Sequence, residues 1–330
     1  MRPFAAPVSD AGRSALEQFA SDVEYYLALT PRQLPSRYFY DGLGSALFEA
    51  ITQLPWYGIT RAERALLARR GREILAHAEP LSTLVELGPG SGEKLATLVA
   101  AGRVPGRRLT VHLIDVSPAA LDLASRTLAA LDAPEAITVV PHQAAYEAGL
   151  AEAVAERRGT GRTMTLLLGS NIGNFDPPGA DAFLRGVRAA LAAGDSLLLG
   201  TDLVKPEAAL LLAYDDPLGV TAAFNRNLLV RINRELGADF DLDAFHHRAV
   251  WNAAESRVEM HLVAASRQQV TVPASSLHVT FEAGETIWTE SSYKYRPDDV
   301  IAILERAGFR PMGQWIDDND GFALTLVVAA

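Results

Sequence analysis

Apolar positions near the amino terminus, Leu16, Phe19, Val23 and Tyr26–Leu27, recur at helical spacing and predict a short amphipathic helix. A Pro- and aromatic-rich segment follows, QLPSRYFYDGLGSALFEAITQLPWYG (33–58). Thr60 then begins TRAE, a capping-box pattern in which Glu63 would reach back to Thr60 and open a helix to about Leu75. Beyond it, short apolar runs alternate with helical stretches. Strands are expected over 83–87, 109–114, 137–140, 164–168 and 196–200. Ser117-Pro118 reads as a cap with proline at the first helical position, for a helix to about Leu131, and a second helix is expected over 181–192.

After Asp202 the rhythm changes. LAYDDPLG (212–219) reads as a loop, 220–236 as a helix closed by Gly237, and 245–252, 256–265 and 277–295 as strand-like runs. The helix carries Phe224, Leu228, Leu229 and Ile232 at core spacing, and Phe224 and Asn225 lie close after Tyr214. The first rhythm resumes with a helix over 297–307 stopped by Gly308 and a hairpin of 309–316 with 322–328. Strand–helix alternation predicts a mostly parallel sheet. Five parallel strands closed by a carboxy-terminal antiparallel hairpin are the inventory of the α/β, Rossmann-like class I methyltransferase fold, here with an α+β module inserted. At 330 residues the chain exceeds the usual single domain. The expected division is 62–203 with 296–330, and 1–61 with 204–295.

Composition narrows the function. A net charge of −10 argues against nucleic acid or an anionic membrane as partner, because phosphate binding needs a basic patch. The chain has no cysteine, which removes disulfides, thiolate metal sites and cysteine nucleophiles. MRPFAAPVSDAGRS lacks an apolar signal core and no run reaches membrane-spanning length, so a cytoplasmic protein is expected, and a monomer is compatible with all of this. The seven histidines form no HxxxH or HExxH pattern, and no metal is expected.

VELGPGSG (85–92) follows a predicted strand and precedes a helix, so Gly88, Gly90 and Gly92 would let backbone turn tightly against a ligand. Asp115, at the end of the next strand, suits a carboxylate that binds a ribose diol. The G-x-G-x-G spacing departs from the dinucleotide pattern, and Glu86 and Glu93 would repel a pyrophosphate; this disfavours a nicotinamide dehydrogenase. The cationic sulfonium of S-adenosylmethionine (SAM) fits the acidic surroundings better. GSNIGNF (169–175), at the carboxyl end of another strand, offers amides and carbonyls to a polar substrate beside the methyl group. ETIWTESSYKY (285–295) alternates like a strand but carries polar groups on both faces; on spacing alone it reads as a solvated edge strand.

RYFYDGLGSALFE (37–49), VELGPGSGEK (85–94), GSNIGNF (169–175), AYDDPLGVTAAFNRN (213–227), EMHL (259–262) and ETIWTESSYKY (285–295) together resemble the L-histidine Nα-methyltransferases of ergothioneine biosynthesis. The resemblance runs through nearly the whole chain. It implies SAM as methyl donor, released as S-adenosylhomocysteine, with L-histidine carried to its trimethylated betaine, and a substrate-recognition role for 1–61 with 204–295. By residue, it implies cofactor contacts from Gly88, Lys94 and Asp115, with Phe48 lining that pocket. It places Tyr40, Asn174 and the Gly169 carbonyl around the α-amine, and Asn174 and Tyr214 on the carboxylate. Tyr57, Glu290 and Ser292 would reach the imidazole, and Met260 would shape the ring pocket. On that reading Glu290 and Ser292 share a strand face because an imidazole needs an acceptor for its N–H and a partner for its other nitrogen. The chain departs from the family after the third strand, where PHQAAYE (141–147) shifts the expected adenine contacts to Gln143 or Tyr146, and at WYGIT (56–60), around Tyr57. Methylation of a ring nitrogen, another aromatic amino acid as substrate, or a non-catalytic sensor of SAM or an amino acid are the competing readings.

Overall fold

The first helix opens on a complete capping box. In this computed structural model, which describes residues 14–102, 108–131, 137–156 and 161–330, Ser14 accepts from the Glu17 amide while Glu17 accepts from the Ser14 amide. The segment read for a targeting signal lies almost wholly outside these residues. The helix so started, α1 (Ala15–Leu27), leads to the short strand β1 (Arg32–Gln33) and to α2 (Gly42–Thr52).

The middle of the chain is α3 (Gly58–His77), β2 (Leu81–Leu87), α4 (Glu93–Ala101), β3 (Leu109–Asp115), α5 (Pro118–Ala129), β4 (Ile137–Gln143), α6 (Tyr146–Ala155), β5 (Arg162–Leu167), α7 (Pro177–Ala190) and β6 (Ser196–Asp202). Ser117 caps α5 through the Ala120 amide, as its sequence position predicts. The TRAE reading fails: Thr60 lies inside the first turn of α3, and Glu63 is fully buried with its carboxylate bonded elsewhere.

Then come α8 (Glu207–Tyr214), α9 (Val220–Leu236), β7 (Phe245–Asn252), β8 (Arg257–Ala264), β9 (Gln268–Val272), β10 (Leu277–Phe281) and β11 (Thr286–Tyr293). The expected loop over 212–219 is thus partly helix, and β9 is an additional strand. The run 277–295 breaks at a turn in which Gly284 adopts φ +83°. The chain closes with α10 (Pro297–Arg306), β12 (Phe309–Asp317) and β13 (Phe322–Ala329).

By contacts these elements form two units, residues 1–58 with 205–293, and 59–204 with 294–330. The second contains a seven-stranded sheet of order β12-β13-β6-β5-β2-β3-β4, parallel from β6 to β4, with β13 antiparallel to both neighbours. This is the α/β class I methyltransferase order. Both strand ends leading out of this unit are pinned: Val204 donates to the Tyr295 carbonyl, Tyr295 to that of Asp202, and Lys294 Nζ stands 2.9 Å from Asp202 Oδ2 with both side chains out of solvent.

The first unit has a sheet of order β1-β11-β8-β7 and a β9–β10 hairpin, with helices alongside. β11 is no solvated edge: Ser291, Ser292 and Tyr293 are buried and Glu290 is half-buried. The register against β8 shifts between Trp288 and Glu290, which makes Thr289 the extra residue of a β-bulge.

Replacing Lys294 by methionine leaves the Asp202 carboxylate buried without its cation and is expected to cost roughly 3–5 kcal/mol, read as a lower denaturation midpoint. An unchanged midpoint would show that the pair does not hold these strand ends.

Candidate functional site

In the second unit, β2 runs into the glycine turn. Gly88 and Gly90 adopt φ +73° and +54°, a region open to glycine at little cost. A Cβ on Gly88 would stand 2.5 Å from the Tyr146 hydroxyl, so turn and tyrosine are in close contact; one on Gly90 would meet nothing within 4 Å. The turn therefore presents bare backbone beside open space. Asp115 ends β3 beside Gln143 at the end of β4, and its Oδ1 accepts from the Ser117 amide at 2.8 Å. Gln143 is exposed, while Tyr146, at the start of α6, is half-buried and its hydroxyl pKa is raised by burial and by Asp115, Glu86 and Glu147.

Glu86 lies beneath the turn. It is 1% exposed, and its Oε2 has no hydrogen-bond partner among the described residues. Burial, with the nearby Glu63 and Asp115 charges, outweighs the pull of Lys94 and raises its pKa to about 8. An open glycine backbone and the Asp115 carboxylate fit a nucleoside such as SAM.

Glu63 is the residue that sequence reasoning missed. It accepts from the Gly169 amide with both oxygens, at 2.9 and 2.8 Å, and pairs with Lys94 Nζ at 2.7 Å. The bare Gly200 backbone makes room for it, since a Cβ there would stand 2.1 Å from Glu63 Oε1. One carboxylate on α3 thus joins α4 to the loop after β5. That loop is held further by Ser170, which accepts from the Asp202 amide, and by Tyr295, which donates to the Ile172 carbonyl. The Asn174 side chain ends the loop exposed, whereas that of Asn171 faces Gly88.

In the first unit the structure brings together Tyr40, Phe48, Tyr57, Tyr214, Met260, Glu290 and Ser292. Tyr40 and Phe48 meet edge-on at 5.7 Å between ring centroids, Phe48 and Tyr57 at 6.4 Å, and Tyr57 and Tyr214 at 6.4 Å. Tyr214 donates to Ser292 Oγ at 2.8 Å. Glu290, two residues before Ser292 and on the same strand face, lies directly across from buried Met260.

Local sequence explains the placement. Asp41 caps α2 through the Gly44 amide and is held by Asn227 and Arg234, which anchors the neighbouring Tyr40. Burial pushes the Asp41 carboxyl up, and these partners more than reverse it, leaving it below the usual range. Buried Phe39 stacks on Phe224 at 4.6 Å. Asp216 caps α9 through the amides of Leu218, Val220 and Thr221, fixing the turn after Tyr214.

A buried relay ties the two sides of this cluster. His247 Nε2 lies 2.8 Å from the Tyr214 carbonyl and its Nδ1 2.8 Å from Asn225 Nδ2. A carbonyl accepts only, so Nε2 carries the proton and Nδ1 accepts from the amide. Burial lowers the His247 pKa, in keeping with a neutral ring. Asn225 Oδ1 accepts from Thr289, whose hydroxyl also lies 3.0 Å from the Met260 carbonyl. The bulge residue next to Glu290 is therefore fixed through Asn225 and His247 to the backbone of Tyr214. Neither HH nor N in sequence signalled this.

Glu86 also sets a pH dependence. Its ordinary pKa of 4.5 rises to about 8 in the fold, so between those values the folded chain holds a proton that the unfolded chain releases. Stability without SAM is expected to fall as pH rises through that window, by on the order of 1.4 kcal/mol per unit at most. Glu86→Gln should flatten the profile and exceed the wild type in melting temperature at pH 8; superimposable profiles would contradict the assignment.

Comparison with known proteins agrees with this architecture. The family of SAM-dependent, histidine-specific methyltransferases matches residues 19–329. A histidine N-alpha-methyltransferase of Mycolicibacterium smegmatis is 44% identical over 329 residues, covering 96% of this chain and 97% of that protein. Its counterpart in Mycobacterium tuberculosis is 46% identical over 317 residues, covering 96% of each chain. The ergothioneine biosynthesis protein 1 of Schizosaccharomyces pombe is 28% identical over 320 residues, covering 94% of this chain and 41% of that protein. This chain belongs to the SAM-dependent, histidine-specific methyltransferase family.

Proposed function

We propose that the protein methylates the α-amino nitrogen of L-histidine, successively to the trimethylated betaine, as a step of ergothioneine biosynthesis in the cytoplasm. The observation that carries this reading is the β11 cluster: Glu290 and Ser292 on one strand face, Tyr214 bonded to Ser292, and Met260 opposite Glu290. This set matches an imidazole in kind. Glu290 accepts its N–H, the Ser292 hydroxyl serves the second nitrogen, and Met260 gives an apolar wall. Tyr57 lies beside Tyr214 and borders the ring.

SAM, when bound, supplies a methyl group already activated by its sulfonium. Gly88, Gly90, Lys94, Asp115, Gln143 and Tyr146 would hold it, with Asp115 on the ribose. The chain's own task is then positioning. The acceptor amine must be neutral, since an ammonium has no lone pair. Asn174 and the Gly169 carbonyl would orient that amine, with Asn174 also on the carboxylate. Most of the acceleration comes from orientation and exclusion of water.

Glu290→Ala is expected to weaken histidine binding by roughly 1.5–3 kcal/mol, the worth of a hydrogen bond to a charged group, with SAM affinity unchanged. Calorimetry giving wild-type histidine affinity would remove Glu290 from the site. Asn174→Ala should lower kcat, through the loss of amine and carboxylate contacts together, while the fold is kept because the side chain is exposed. Wild-type turnover in that variant would contradict its role.

A further inference from the structure

On the face of β3 and β4 covered by α6, two buried histidines and two glutamates converge. His112 Nδ1 and His142 Nε2 stand 2.8 Å apart. His142 Nδ1 lies 3.3 Å from Glu152 Oε2, and Glu156 Oε2 lies 4.0 Å from His112 Nδ1. Glu152 and Glu156 are four residues apart at the end of α6 and so share one side of it. The ligand atoms of His112, His142 and Glu156 all lie within 4.8 Å of one another.

A carboxylate only accepts, so with Glu152 as partner His142 carries its proton on Nδ1 and turns the Nε2 lone pair toward His112. Two imidazole nitrogens so placed can share either a proton or a cation. A shared proton needs only the two rings. It gives no role to Glu156, which brings a negative charge to the same point. Nitrogens bound at about 2.0–2.1 Å to one tetrahedral ion would stand roughly 3.3 Å apart, so the rings at 2.8 Å need part by only about half an ångström to admit it. A carboxylate behind a metal-bound imidazole is the usual means of fixing its tautomer.

We propose that His112, His142 and Glu156 bind one divalent transition-metal ion, with Glu152 orienting His142. Two imidazoles and a carboxylate suit Zn²⁺, Ni²⁺ or Cu²⁺ rather than Mg²⁺ or Ca²⁺. Bound there, the ion fastens α6 to β3 and β4 and stabilises the folded chain by mass action. The histidines come from neighbouring strands 30 residues apart in sequence, which is why no compact ligand motif announces them.

The test is calorimetric titration of the full chain, stripped by a chelator, with Zn²⁺ alone. One ion per chain is expected, with a higher melting temperature. Glu156→Gln alters an exposed side chain and should weaken binding at least about tenfold; His142→Gln should abolish it. Absence of saturable binding would overturn the proposal. So would equal affinity in wild type and Glu156→Gln, which places any bound zinc elsewhere; that comparison decides alone if His142→Gln does not fold.

Discussion

A carboxylate with no exposed surface organises the second unit. Glu63 takes the Gly169 amide and the Lys94 ammonium together, so the loop after β5 and the helix after the glycine turn cannot move independently. Such a group is tolerable only because its charge is met by a cation and by backbone N–H groups. Glu86 nearby has an oxygen with no hydrogen-bond partner among the described residues, and burial, outweighing the pull of Lys94, raises its pKa to about 8. The difference separates a carboxylate that joins backbone and cation from one that is held protonated by burial.

In the other unit the corresponding constraint is the bulge at Thr289. A regular β11 would keep strict alternation through Trp288, and Glu290 would then lie on the face of Trp288. The extra residue turns Glu290 and Ser292 to the face of Met260. Its hydroxyl is bonded to Asn225, and Asn225 to His247, so the bulge and the Tyr214 backbone are set by one relay. The departures from regular structure and the residues read as substrate groups coincide in this strand, as expected where local rules yield to function.

Much of this was legible in the sequence because the signals were local. Short apolar runs between capped helices foretold the parallel sheet. Gly237 and Gly308 marked the ends of α9 and the α10 turn, and both have positive φ. The glycine turn was announced by its own residues, and Gly88, Gly90 and Gly92 all adopt positive φ. What escaped depended on distant partners. Glu63 imitated a capping residue because its partners lie at Lys94 and Gly169. Polar side chains on both faces of β11 suggested solvent, since neither the bulge nor the buried hydroxyl of Tyr214 leaves a periodic trace. The short α8 was hidden because its last residues belong to a stretch punctuated by Asp215, Asp216, Pro217 and Gly219.

We propose that an imidazole-binding cluster directs methylation to the α-nitrogen of the same molecule. Incubating the protein with SAM and each of the twenty amino acids separately, then locating the added methyl by fragmentation mass spectrometry, tests it most directly. Product is expected from histidine above all others, with every methyl on the α-nitrogen. Methyl on a ring nitrogen, or an amino acid without an imidazole as the preferred substrate, would contradict it.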